Sequence, residues 1–177
     1  MPDAQFLLRC VATLVIALFQ APAASAQMAD NAVRVGGRVV SFLQPPLNGQ
    51  VTAAILYDPG DPASVSEAAA IDRALGSGMT IGSLTLKPRK VSTNALGGLG
   101  DAKVAFVTRG INYRAIAAVT APRSIITITS DNACVQAGYC IVAISATPKV
   151  QITVSRNART AARLRFSAAF LMLVKEF

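Results

Sequence analysis

Val51-Thr-Ala-Ala-Ile-Leu-Tyr57 is followed directly by Asp58-Pro-Gly-Asp-Pro62 and then by the run Ala63 to Leu75. Seven residues without a charge, rich in apolar side chains and closed by two prolines, a glycine and two aspartates, read as a buried strand ending in a turn. The run after it holds good helix formers, with Ser64 and Glu67 spaced three apart as in a capping box. Gly76-Ser-Gly78 stops it. A strand that passes through a turn into a helix is the opening unit of an α/β fold, and the rest of the chain repeats the alternation.

Working outward from that unit, Met79 to Lys87 reads as a second strand and Asn94 to Gly100 as a glycine-rich connection. Lys103-Val-Ala-Phe-Val-Thr108 is a buried strand, Tyr113 to Val119 a short helix, and the β-branched Ser124-Ile-Ile-Thr-Ile-Thr129 a further strand. Cys140 to Ala146 and Val150 to Val154 are joined by only Thr147-Pro-Lys149, which makes them an antiparallel hairpin. From Arg156 to about Lys175 the pattern is that of one long helix capped by Ser155. Upstream, Asp30 to Leu43 reads as a helix with Asp30 or Asn31 as its cap, weakened by Gly36-Gly37 at about 1 kcal/mol per glycine. The expectation is a mostly parallel sheet flanked by helices, with a C-terminal antiparallel hairpin at one edge and a long terminal helix.

The chain begins with a short polar start, an apolar run from Val11 to Phe19, and Ala24-Ser25-Ala26. That is the layout of a secretory signal peptide cleaved after Ala26. Residues 1–26 are therefore read as signal peptide and 27–177 as one α/β domain of the periplasm. An exported chain keeping an even pair of cysteines favours a disulfide, here Cys134 to Cys140, with Gly138 turning the loop between them. Closing a loop of that size contributes roughly 2–3 kcal/mol.

Charge divides the chain unevenly. Residues 27–101 carry six Lys or Arg and six Asp or Glu, whereas residues 102–177 carry ten against two. A basic half fits a solvated surface, nucleic acid, an anionic membrane surface or an acidic partner protein. Export and the lack of an aromatic-interleaved basic motif argue against nucleic acid. Arg156, Arg159 and Arg163 fall at i, i+3 and i+7 of the expected terminal helix, with no acid along the stripe. A solvated face and a grip on an acidic partner or anionic ligand are both compatible with that stripe.

The chain contains no histidine. This removes the Ser-His and Cys-His nucleophile pairs, the commonest general base and the usual zinc ligands. Asp58 and Asp61 are the remaining carboxylate pair, placed among turn residues where aspartate ordinarily serves the turn. Gly97-Gly-Leu-Gly100 precedes a strand, where a phosphate cradle would follow a strand and open a helix. No catalytic residue, metal site or cofactor is expected, and an enzyme is not the reading.

The second half resembles the YfiR-like family of exported bacterial proteins. Ser130-Asp131 after the β-branched strand, the Cys134–Cys140 loop, the hairpin and the ending Leu164-Arg-Phe-Ser-Ala-Ala-Phe-Leu-Met-Leu173 carry the resemblance. The chain departs from the pattern where relatives often have Gly before the Leu of that ending, which is Arg163 here. Ser155 stands where they often have Asn, Ala168 where they have a second Ser, and Ala102 where some place a further cysteine. The resemblance implies a small regulator that restrains an inner-membrane diguanylate cyclase from the periplasmic side, coupling envelope conditions to cyclic di-GMP and biofilm formation. An outer-membrane lipoprotein that sequesters it, a redox-sensitive disulfide and a homodimer belong to the same implied device. The other reading is a small-ligand-binding domain resembling one lobe of a solute-binding protein, with its ligand at the strand ends.

Overall fold

A computed structural model describes residues 23–146 and 149–177. Its centre is a sheet of eight strands in the order β2-β3-β1-β4-β5-β6-β7-β8. β1 (Gly49–Tyr57) lies between β3 (Leu84–Ser92) and β4 (Val104–Val107), parallel to both, and β5 (Ile126–Thr129) and β6 (Val142–Ser145) continue the parallel set. β7 (Gln151–Val154) runs back along β6 with Val142 opposite Val154. The α/β class, the mostly parallel sheet and the C-terminal antiparallel pair are as the sequence implies. That pair is not the rim, however, because β8 (Lys175–Glu176) adds to β7 in parallel.

The central strands are covered on both faces, and their alternation sorts the core into two layers. Ala53 and Ile55 of β1, with Val104 and Phe106 of β4, face α1 (Ala23–Val40) and α2 (Pro62–Leu75). Ala54, Leu56, Ala105 and Val107 face the other way, toward a 3-10 helix (Thr93–Leu99), α3 (Tyr113–Thr120) and α4 (Asn132–Gln136). β4 and β5 are buried at every position and β6 at all but its last, which explains their nearly continuous apolar and β-branched sequences.

The structure corrects four further expectations. The segment Met79 to Lys87 is not one strand: β2 (Met79–Ile81) turns back at Gly82, whose φ of +59° suits glycine, and pairs antiparallel with β3. Helix α1 is already formed at Ala23, the first described residue, so neither Asp30 nor Asn31 caps it. Ser64 does not cap α2; Asp61 does, its Oδ1 accepting from the Ala63 amide at 2.9 Å. The long terminal helix is absent. In its place are α5 (Arg156–Ala161), α6 (Ala168–Leu171) and β8. The break comes at Arg163, which takes φ +55° and so leaves the right-handed helix.

The glycines of α1 have a packing role. Val33, Gly36, Gly37 and Val40 form its buried stripe, at i, i+3, i+4 and i+7. A β-carbon at Gly36 would stand 3.1–3.3 Å from Phe106, Ile128 and Ile144 at once, so the missing side chain lets the helix axis lie close to the sheet. The expected signal segment up to residue 22 lies outside the described residues, and the cleavage position after Ala26 falls within α1. Among the described residues, no helix is long and apolar enough to cross a membrane.

The disulfide is formed. Cys134 and Cys140 are bonded, both buried, with Gly138 at φ +76° reversing the chain between them. Both sulfurs lie in the layer with Val135, Ile125 and Ala143. Cys134→Ser should lower stability by about 2–3 kcal/mol in the chain-entropy picture, read as a shifted midpoint in urea. Because the bond is buried, reduction of the native protein should be slow until denaturant is added, which thiol labelling over time would measure.

Candidate functional site

Two regions collect the polar side chains the fold leaves at its ends. The first is the carboxyl edge of the parallel strands. After β1 the chain goes through α2 to β3 on one side, then crosses to β4 on the other side of β1. The ends of β1 and β4 therefore flank a topological switch point, where α/β sheets commonly hold ligands.

At this switch point the polar groups are joined to one another. The Asp58 amide donates to Ser64 Oγ at 2.8 Å, Ser64 lies 2.7 Å from Thr108 Oγ1, and Thr108 donates to the Leu56 carbonyl at 3.0 Å. With the Thr108 proton directed at Leu56, Ser64 is the donor to Thr108. Glu67 receives the Arg109 amide at 2.9 Å on one oxygen and Ser130 Oγ at 2.8 Å on the other. Asp58 accepts from the Gly60 amide at 2.8 Å, so it and Asp61 serve a turn and a helix cap. Tyr113 Oη accepts from the Gly110 amide at 3.1 Å and donates to Asp131 at 2.8 Å, while Asp131 caps α4 through Ala133.

Burial, and then the bond to Asp131, push the Tyr113 phenol well above its ordinary value of 10.0. The folded protein holds that proton where the unfolded chain releases it, so wild-type stability should fall as the pH climbs past about 10. Tyr113→Phe should cost about 1–2 kcal/mol at neutral pH by leaving its partners unmatched, and that deficit should shrink in alkali. Urea midpoints of both proteins on either side of the tyrosine range would check both signs.

Beside this network, between α1, α2 and the sheet, lies an apolar crevice walled by Val33, Ile71, Phe106, Ile128 and Ile144, with Glu67, Thr129 and Ser130 as its polar residues. Sequence reasoning assigned Glu67 to a cap and missed the crevice. The signal that points to it is the Ser130-Asp131 pair after a β-branched strand.

The second region is the opposite, amino end of the sheet, at its β7–β8 rim. Of the three arginines expected to form one stripe, Arg156 and Arg159 share one carboxylate and Arg163 stands apart from them. Arg156 is largely exposed, its Nη2 3.3 Å from Glu176. Arg159 is mostly buried and bound to the same carboxylate at 2.8 Å. Arg163, beyond the end of α5, is exposed on the left-handed turn. Glu176 is distant in sequence and reaches the arginines because β8 returns alongside β7, so the acid missing from the stripe is supplied by the fold. Arg159 thus ties the last strand to α5, and the geometry does not present the three as one surface. The backbone closes the same contact: the Arg156 amide donates to Phe177 at 2.8 Å and the Phe177 amide to Val154 at 2.9 Å.

No protein-family model matches the chain, and no curated protein matches it. Among solved structures, the fold is similar to a conserved domain protein from Vibrio cholerae, with a TM-score of 0.57 and 10% identity over 84% of this chain. The chain spans 59% of the length of that protein. At such low identity the likeness is one of fold alone.

Proposed function

We propose that the chain is a regulatory binding protein of the periplasm that represses a membrane-bound diguanylate cyclase by protein–protein contact. The observation that carries this reading is the backbone at Arg163. The YfiR-like pattern often has glycine at that position, and this chain, with arginine there, still adopts the left-handed conformation that favours glycine. Ser167, the serine retained from the family ending, caps the turn that follows through the Phe170 amide. A local geometry kept against the preference of its residue supports the resemblance where the sequence departs from it. The buried disulfide adds to the case for export.

The reading has a structural consequence of its own. Arg163→Gly should stabilise the protein by about 0.5–1 kcal/mol, since a non-glycine residue pays roughly 1–2 kcal/mol in this conformation and the more flexible unfolded glycine returns part of it. A thermal melt that drops instead would show the position to be held by the arginine side chain.

Function is tested by capturing tagged protein with its partners from detergent-solubilised envelopes and identifying them by mass, alongside cellular cyclic di-GMP. Co-purification of a diguanylate cyclase, with cyclic di-GMP rising when the gene is deleted, is the expected result. Capture without a cyclase, with cyclic di-GMP unchanged, overturns it. The second reading, a small-ligand domain, rests on the crevice at Glu67 and Ser130; thermal shift with a panel of amphiphilic ligands, and its loss in Ile128→Trp, would favour it.

A further inference from the structure

Among the described residues, the large apolar side chains most open to solvent lie between Arg163 and Lys175. Met172 and Leu173, in the turn after α6, are 87% and 83% exposed. Phe42, also exposed, stacks on Phe170 at 4.9 Å, so an aromatic side chain borders the same helical turn. The turn is not loosely attached. Phe170 is buried against Phe166 and Phe42, and the Met172 and Leu173 amides donate to Ala168 and Phe170 at 3.1 and 3.0 Å. The fold therefore holds two large apolar side chains in water, a costly arrangement for residues with no other contact to make.

Charge says what covers them. Arg163 and Arg165 precede the turn and Lys175 follows it, with no acid in between. Glu176, the nearest carboxylate in sequence, is bound to Arg156 and Arg159, and among the described residues no carboxylate forms an ion pair with Arg163, Arg165 or Lys175. Two protruding apolar side chains with Arg163 and Arg165 before them in sequence and Lys175, which lies over the exposed Phe177 ring at 4.6 Å, after them match a surface that is anionic at its face and apolar just beneath, which is the interface of a phospholipid bilayer.

We propose that the Met172–Leu173 turn is an interfacial anchor that seats the protein on an anionic bilayer, with Met172 and Leu173 entering the acyl boundary and Arg163, Arg165 and Lys175 at the phosphates. The anchor is reversible, since two side chains and three cations fall far short of a spanning helix. It goes beyond the regulatory reading and is independent of which membrane protein, if any, the chain restrains.

The test is co-sedimentation of the purified protein with vesicles of phosphatidylcholine alone or of equal parts phosphatidylcholine and phosphatidylglycerol. Binding is expected to the mixed vesicles only, to weaken with added salt, and to fall about tenfold or more in Met172→Asp/Leu173→Asp. Both positions are exposed, so the double variant should melt like wild type, and a melt beside each binding curve checks this. Arg163→Gln/Arg165→Gln should weaken binding with the apolar pair intact. Absence of binding to the mixed vesicles overturns the proposal, as does binding that the double aspartate variant retains. Concentration-dependent dimerisation abolished by that variant, without vesicle binding, would assign the turn to a second copy of the chain instead. Because the vesicles contain no protein, failure here leaves the cyclase capture experiment unaffected.

Discussion

Phe170→Ala should destabilise the protein by about 3–5 kcal/mol, more than the loss of the disulfide. The residue sits in a helix of one turn, which has no stability of its own in water. What holds α6 in place is the ring of Phe170, stacked on Phe42 and tilted against Phe166 with both centroids at 4.9 Å. Phe166 in turn lies opposite Leu43 in an isolated bridge, and the Ser167 amide donates to the Phe42 carbonyl at 3.0 Å. Removing the ring empties the space between the end of α1 and the last segment, so the segment should detach before the sheet does. Hydrogen exchange would then show lost protection at residues 168–177, with β1 and β4 affected only through global unfolding. A uniform loss across all strands would mean that the last segment is part of the central cooperative unit.

Gly36→Leu should cost about 3 kcal/mol or more, at the upper end of what overpacking does. Even a β-carbon here stands 3.1–3.3 Å from Phe106, Ile128 and Ile144, which come from three adjacent strands and cannot all withdraw. The remaining carbons of leucine would lift α1 off the sheet. Gly36→Ala is the informative control. It gains about 1 kcal/mol of helix propensity and meets only the contacts just named, so it should lie close to wild type. Urea midpoints of the two variants should separate widely; equal midpoints would show that α1 does not rest on the sheet through this residue.

The alternation of strands and helices was legible because buried parallel strands are written as continuous apolar runs, and Val51 to Tyr57 or Ile126 to Thr129 have no other reading. The disulfide was legible from two cysteines and the glycine between them. The terminal helix was misread for a specific reason: Arg156 to Lys175 keeps a helical spacing of apolar residues, while the break at Arg163 is made by a residue with no breaking chemistry. Only comparison with a pattern carrying glycine there hinted at it. Gly82 was a plainer signal, yet the Met79–Lys87 run hid it by alternating on both sides. At the candidate sites, the pairing of Arg159 with Glu176 depends on β8 lying beside β7, a contact between residues seventeen apart that no local spacing encodes. The Ser64–Thr108 bond spans forty-four positions and is illegible for the same cause.

Both rims of the sheet are stubs: β2 has three residues and β8 has two. A long flat rim offers a row of unpaired amides and carbonyls on which a second chain can crystallise as an extra strand, and β2 covers β3 only from Leu84 to Leu86, so among the described residues the outer side of β3 from Lys87 to Ser92 has no partner strand. There Pro88 has no amide to offer, and Lys87, Arg89 and Lys90 place charge along the open stretch, as Lys175 does on β8. The protein can thus be crowded with its neighbours without adding their strands to its own sheet. Association through added strands is thereby disfavoured, which leaves recognition to side chains, on surfaces that single substitutions can erase.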